Sequence, residues 1–136
     1  MAAELLELEY PASCPGEEWH RTDLSWDGKR DFYQTVFHHG ESTLRWAECK
    51  AYQKAISFNV LAPTLIMSTL RNVNEVVFFS YSRLNREAVG ELQEFAKAHR
   101  MHARIFDDER LERLILRYRD NPKFSFHMFF PEAASM

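Results

Sequence analysis

Residues 75–81 read EVVFFSY, a nearly continuous apolar run. Such a run is typical of a strand that is buried on both faces, as happens where helices cover both sides of a parallel sheet. On either side of the run, over residues 57–71 and 85–100, apolar residues recur at helical spacing. A further strand is predicted at 103–106. Because strands and helices alternate here, the sequence predicts βαβ units and an α/β fold.

The segments before and after this region complete the predicted order. Strand-forming residues are concentrated at 19–26, 32–37 and 43–52, with turn signals at 27–29 and 39–42, which predicts an antiparallel meander. A short helix is predicted at 2–10, with a loop from 10 to 16. Asp107 or Asp108 should cap a helix that ends near Tyr118, and a last strand is predicted at 124–130. The fold expected is a mixed β-sheet flanked by helices, a three-layer α/β/α sandwich.

Length and composition indicate one globular domain. The chain has 136 residues, of which 46% are hydrophobic and 27% are charged. Two cysteines, Cys14 and Cys49, are too few for a disulfide framework. No apolar run approaches the roughly 18 residues of a membrane helix, and the acidic start is unlike a signal peptide. We therefore expect a cytoplasmic protein with no membrane segment.

The charge is unevenly distributed along the chain. The net charge of −3 argues against a protein that binds nucleic acid through bulk charge alone. Residues 1–31 hold eight acids and three bases, whereas residues 42–105 hold nine bases and five acids. The small net charge therefore combines an acidic leading segment with a mildly basic body.

Three residues form the candidate site. Asp31 lies at the head of the second predicted strand, and the third carries Glu48, Cys49 and Lys50. Since residues i and i+2 of a strand share a face, Glu48 and Lys50 should point to one side and Cys49 to the other. Two carboxylates and an ammonium at one end of a sheet suit a hydrolytic site. Their hard oxygen ligands favour Mg²⁺ or Mn²⁺.

Residues 23–116 resemble the PD-(D/E)XK nuclease superfamily, most closely its restriction-endonuclease-like Mrr branch. The resemblance rests on DGKRDF at 27–32, WAECKAY at 46–52, and the strand and helix order that follows. It implies a restriction-endonuclease-like fold and metal-dependent cleavage of DNA phosphodiester bonds. It also implies that Asp31 and Glu48 are metal ligands, that the Cys49 carbonyl is a third candidate ligand, and that Lys50 is the catalytic lysine.

The same resemblance implies further partners. Arg30, Tyr52, Gln53 and Lys54 are candidates for DNA contact, although solvated polar residues are the alternative. The resemblance leaves open whether Glu4 or Glu7 of the first helix joins the site. It also implies that residues 1–136 form a single Mrr-like nuclease module, acting as a homo-oligomer and joined to an NTPase or sensor in a restriction or antiphage defence protein.

Two other functions stay open from the sequence. A domain of this fold could lack catalysis and instead bind a protein or nucleic acid. Alternatively, an α/β domain could bind a small ligand at the strand end marked by Ser80 and Ser82. For these serines we favour hydrogen bonding to the adjacent turn. Cys49 is expected to be a small buried residue that faces the helices.

Overall fold

The computed structural model describes residues 1–22, 31–50 and 54–131. Its five-stranded sheet has the order β1-β2-β3-β4-β5. The strands are β1 (His20–Arg21), β2 (Phe32–His38), β3 (Glu41–Lys50), β4 (Glu75–Ser80) and β5 (His102–Asp107). The helices are α1 (Ala2–Glu9), α2 (Phe58–Leu70), α3 (Arg86–Ala98), α4 (Asp108–Arg117) and α5 (Phe126–Phe129).

The sheet changes from antiparallel to parallel pairing at β3. Strand β2 pairs antiparallel with β1 and β3, whereas β4 pairs parallel with β3 and β5. The predicted meander followed by βαβ units is therefore confirmed. Because β3, β4 and β5 run in one direction, their carboxyl ends lie at one edge of the sheet, where Lys50 pairs with Ser80 and Ser80 with Asp107.

Strand β4 holds the layers together. Val76 and Phe78 contribute to the apolar cluster on the side of α2 and α3, whereas Val77 and Phe79 contribute to the cluster that contains α1, α4 and α5 residues. Five of the six residues of β4 are buried. The prediction of a strand buried on both faces, and with it the three-layer sandwich, is confirmed.

The helix that begins near residue 85 follows its predicted pattern. Asn85 precedes α3, and its side-chain oxygen accepts a hydrogen bond of 2.7 Å from the Ala88 N–H. Asp107 occupies the corresponding position before α4, but its carboxylate accepts instead from the Leu84 N–H, at 2.6 Å. Asp107 thereby connects the end of β5 to the loop that follows β4.

The strand predicted at 124–130 is wrong, because this segment forms a turn and then the short helix α5. The Phe124 N–H donates to the Asn121 carbonyl, and the Phe130 N–H donates to the Phe126 carbonyl. In a strand, Phe129 would point away from Phe124 and Phe126. The turn and helix allow all of these aromatic residues to join the apolar cluster that contains α1 and α4 residues, so apolar burial decides the local structure.

Other boundaries shift by a few residues. The first strand, predicted at 19–26, is His20–Arg21 within the described part, and residues 23–30 with their predicted turn lie outside it. The third strand, predicted at 43–52, begins at Glu41, directly after a turn in which His39 and Gly40 both have positive φ. These differences leave the order of the strands unchanged.

A buried carboxylate fastens the segment before β1 to β2. Glu17 is 1% exposed, and it accepts hydrogen bonds from the Ser13 N–H at 2.8 Å, the Ser13 hydroxyl at 2.6 Å and the Phe37 N–H at 2.7 Å. These donors, with the Ser13 hydroxyl contributing most, lower the pKa of Glu17 to about 2. The contacts with Ser13 are local, whereas the contact with Phe37 depends on the tertiary structure, so the sequence alone does not show that Glu17 is buried.

We expect Glu17→Gln to destabilise the protein in a pH-dependent manner. The pKa of Glu17 falls from 4.5 to about 2 on folding, so the charged carboxylate stabilises the fold above pH 4.5 and loses that effect as the pH falls toward 2. Urea unfolding of wild type and variant should give a larger stability difference at pH 7 than at pH 3. An equal difference at both pH values would contradict this role of Glu17.

Candidate active site

The topology brings Asp31 and the end of β3 together. Asp31 directly precedes β2, and its N–H donates to the Ala47 carbonyl of β3 at 3.0 Å. Its Oδ2 accepts a hydrogen bond of 2.7 Å from the Cys49 N–H. Because β2 and β3 are antiparallel, the start of β2 lies beside the carboxyl end of β3. The carboxylate of Asp31 is therefore held against the backbone of the Glu48-Cys49-Lys50 segment.

Glu48 and Lys50 form an ion pair on one face of β3. The Lys50 Nζ lies 2.7 Å from Glu48 Oε1, and the Glu48 side chain is 6% exposed. This contact confirms that the two side chains share a face. The structure thus brings together the three residues that the sequence selected, two acids and one base at the carboxyl edge of the parallel strands.

A fourth side chain, Thr64, belongs to the same cluster. The Thr64 hydroxyl of α2 donates a hydrogen bond to Glu48 Oε2, and Thr64 is fully buried. Each oxygen of the Glu48 carboxylate therefore has a partner within the chain. Sequence reasoning missed Thr64, although a threonine on the buried face of an apolar helix, between Leu61 and Leu65, was a signal that it meets a polar group.

Burial makes the charged form of Glu48 costly. Desolvation raises the pKa of Glu48 above its ordinary value of 4.5, and the negative charge of Asp31 acts in the same direction. Hydrogen bonds from Lys50 and Thr64, together with the charge of Lys50, lower it only in part. A carboxylate in this state would be stabilised by additional positive charge nearby.

The donor set fits a hard divalent cation. Mg²⁺ is usually held by one or two carboxylates, with waters and substrate oxygens as its other ligands. The carboxylates of Asp31 and Glu48 and the carbonyl of Cys49 are donors of that kind. Over residues 1–22, 31–50 and 54–131, no group of three or more His, Cys, Asp and Glu side chains could hold a metal ion. A cation at this edge would therefore depend on backbone, water or substrate oxygens as well.

Cys49 differs from its prediction in one respect. It belongs to the opposite face from Glu48, as expected, and lines a cavity of about 240 Å³ with Leu5, Phe79 and Leu111. It is exposed, however, and not buried. Strand β2 begins at Phe32, opposite Ala47, so the described sheet gives Cys49 a neighbouring strand on the β4 side alone. Partial desolvation, followed by the negative charge of Asp31, raises the pKa of the Cys49 thiol.

The other residues that the sequence selected lie in several parts of the fold or outside the described residues. Lys54 is exposed, whereas Arg30, Tyr52 and Gln53 lie outside the described residues. Glu4 accepts from the Ser125 N–H at 2.7 Å and, with Glu7, lines a cavity beside Trp19 and Lys123 that does not include Glu48. Ser80 accepts from the Ser82 N–H at 3.0 Å, the predicted hydrogen bond within the turn.

Comparison with known proteins agrees with this fold. No protein-family model matches the chain, and no curated protein matches it at a significant level. Among solved structures it is similar to the MspJI restriction endonuclease in complex with a 27-mer oligonucleotide, with a TM-score of 0.57 and 16% sequence identity. The match covers 99% of this chain and 30% of that chain. The chain therefore has the restriction-endonuclease-like fold that the sequence resemblance implied.

In the part of the chain that the structure describes, no helix has both the length and the apolar character required to span a bilayer.

We expect Glu48→Gln to gain stability relative to wild type as the pH rises. Because folding raises the pKa of Glu48, the cost of its charge is absent below pH 4.5 and complete above the folded-state pKa. The amide of Gln carries no such cost. Urea unfolding at pH 4.5 and pH 8 measures the difference between the two proteins. A variant that instead loses stability relative to wild type as the pH rises would contradict the desolvation of Glu48.

Proposed function

We propose that this chain is a Mg²⁺-dependent endodeoxyribonuclease domain that hydrolyses DNA phosphodiester bonds. The observation that carries the proposal is the meeting of Asp31, Glu48 and Lys50 at one edge of a restriction-endonuclease-like sheet. The sequence resemblance implies the same three residues. Mn²⁺ is the alternative cation, since it accepts the same oxygen ligands.

Each residue has a role that its contacts support. Asp31 and Glu48 would hold the cation, with the Cys49 carbonyl as a further ligand. When bound, the cation would polarise the phosphoryl group and lower the pKa of a water. The Lys50 ammonium has three donors, of which one contacts Glu48, so others can orient the attacking water or stabilise charge on a phosphate oxygen.

The DNA would be held by positive charge around this edge. Lys54 follows β3 in the sequence, and Arg30, Tyr52 and Gln53 are further candidates from the sequence. The overall charge of −3 supports weak binding that depends on Mg²⁺, on a second copy of the chain or on an attached domain. We propose a homodimer, because one such site cuts one strand. We also propose a cytoplasmic defence protein in which an NTPase or sensor domain controls the nuclease.

Plasmid cleavage with Mg²⁺ or Mn²⁺ tests this function. Glu48→Gln and Lys50→Met should each lower the rate by about 10²-fold or more, because each removes a charged group at the reacting phosphate. A matched control is Glu75→Gln. Glu75 begins β4 and forms a 2.7 Å ion pair with Arg45 of β3, at the opposite end of the parallel strands from the site. That variant should cut like wild type. Unchanged cutting by both site variants would refute the assignment.

A second candidate is a catalytically degenerate module that binds a protein or nucleic acid. Contacts within the chain favour this candidate. The two oxygens of Glu48 already contact Lys50 and Thr64, and one oxygen of Asp31 accepts a hydrogen bond from the Cys49 N–H. This alternative predicts that Mg²⁺ and Mn²⁺ leave the melting temperature unchanged, whereas a nuclease should be stabilised by either ion. A wide separation of Asp31, Glu48 and Lys50 would favour the small-ligand hypothesis. Instead, Asp31 and the Glu48–Lys50 ion pair meet at the end of β3, which weakens it.

A further inference from the structure

We propose that Thr64 is a positioning residue, which orients the Glu48 carboxylate for metal binding. This inference rests on the proposed nuclease function. Thr64 lies on α2, whereas Glu48 and Lys50 lie on β3, and its hydroxyl donates to Glu48 Oε2. It would act through Glu48 and would not itself contact the substrate.

The contact is unusual among the hydroxyl groups of α2. The hydroxyls of Ser68 and Thr69 both donate to the Leu65 carbonyl, within their own helix. Thr64 instead reaches across to the sheet. A buried threonine could satisfy its hydroxyl locally, as its two neighbours do. The interaction with Glu48 therefore connects α2 to the site and is not a by-product of helix formation.

The two partners of Glu48 approach from different elements. Lys50 contacts Oε1 from β3 itself, whereas Thr64 contacts Oε2 from α2. A carboxylate has about four lone-pair sites, so these two contacts leave capacity for a cation. They also restrict rotation of the carboxylate, which is the usual effect of an outer partner on a metal ligand.

The backbone that carries Thr64 is well anchored. Just before α2, the Ile56 N–H donates to the Arg83 carbonyl at 2.8 Å, and the Ile56 carbonyl accepts from the Asn85 N–H at 2.9 Å. These bonds connect the entry to α2 with the loop between β4 and α3. Leu61 and Leu65, which flank Thr64, are fully buried. A hydroxyl on such a support can hold a partner in a fixed geometry.

Three variants separate positioning from packing. Thr64→Val keeps the shape of the side chain and removes the hydroxyl, whereas Thr64→Ser keeps the hydroxyl. Ser68→Ala is the matched control, since Ser68 is also fully buried on α2 but bonds within the helix. The measurements are Mn²⁺ affinity without DNA, by calorimetry, and kcat and KM on a duplex oligonucleotide. Melting temperatures check folding, and Thr64→Ala replaces the valine variant if that protein does not fold.

Thr64→Val should weaken Mn²⁺ binding and lower kcat by about 10–100-fold, the usual effect of losing an outer partner of a metal ligand. KM should change little, while Thr64→Ser and Ser68→Ala stay close to wild type. The inference fails if Thr64→Val binds Mn²⁺ like wild type, or if Thr64→Ser loses as much affinity as Thr64→Val. Glu48→Gln distinguishes the two levels. If Glu48→Gln is inactive while Thr64→Val is fully active, only the positioning role is wrong. If Glu48→Gln cuts like wild type, Glu48 is not a ligand of the reaction and the positioning role fails with it; if wild type itself does not cut, the proposed nuclease function is wrong.

Discussion

The burial of β4 on both faces is the constraint on which the rest of the structure depends. A strand with apolar side chains on both sides requires a layer of helices on each side, and β4 has them in the two apolar clusters. Its parallel pairing with β3 and β5 then sets the carboxyl ends of three strands side by side. The site lies at this edge because β3 ends there, and because the antiparallel return of β2 brings Asp31 to the same place.

The site differs from the core because it contains a buried charged group. The apolar clusters stabilise the fold, but Glu48 is an acid buried where its charge is only partly compensated. Such a group is retained at a cost to stability, a pattern found more often at functional sites than in purely structural ones. The proposed cation would add positive charge beside this carboxylate, whereas Lys50 and Thr64 are the partners that stabilise it within the chain.

The sequence predicted those features that depend on local periodicity. The two-residue period of β3 placed Glu48 and Lys50 on one face, and the run at 75–81 predicted the sandwich. Features that depend on tertiary contacts were missed. Thr64 donates to Glu48, 16 residues away, and Glu17 accepts from Phe37, 20 residues away, in addition to its local partner Ser13; no short pattern encodes the two long-range contacts. The strand prediction for 124–130 was wrong because the spacing of its aromatic residues fits a strand or a helix. Only the position of the apolar cluster of α1 and α4 residues decides between the two.

The most direct test of the central claim is the rate at which a supercoiled plasmid is cut by wild type and by Asp31→Asn. The amide oxygen of Asn can still accept the hydrogen bond from the Cys49 N–H, so the substitution removes charge while it preserves the local geometry. We expect Mg²⁺-dependent cutting by wild type that stops when the metal is chelated. We expect the variant to melt like wild type and to cut at least about 10²-fold more slowly. Equal cutting by the two proteins, or cutting by wild type that persists without metal, would contradict the account.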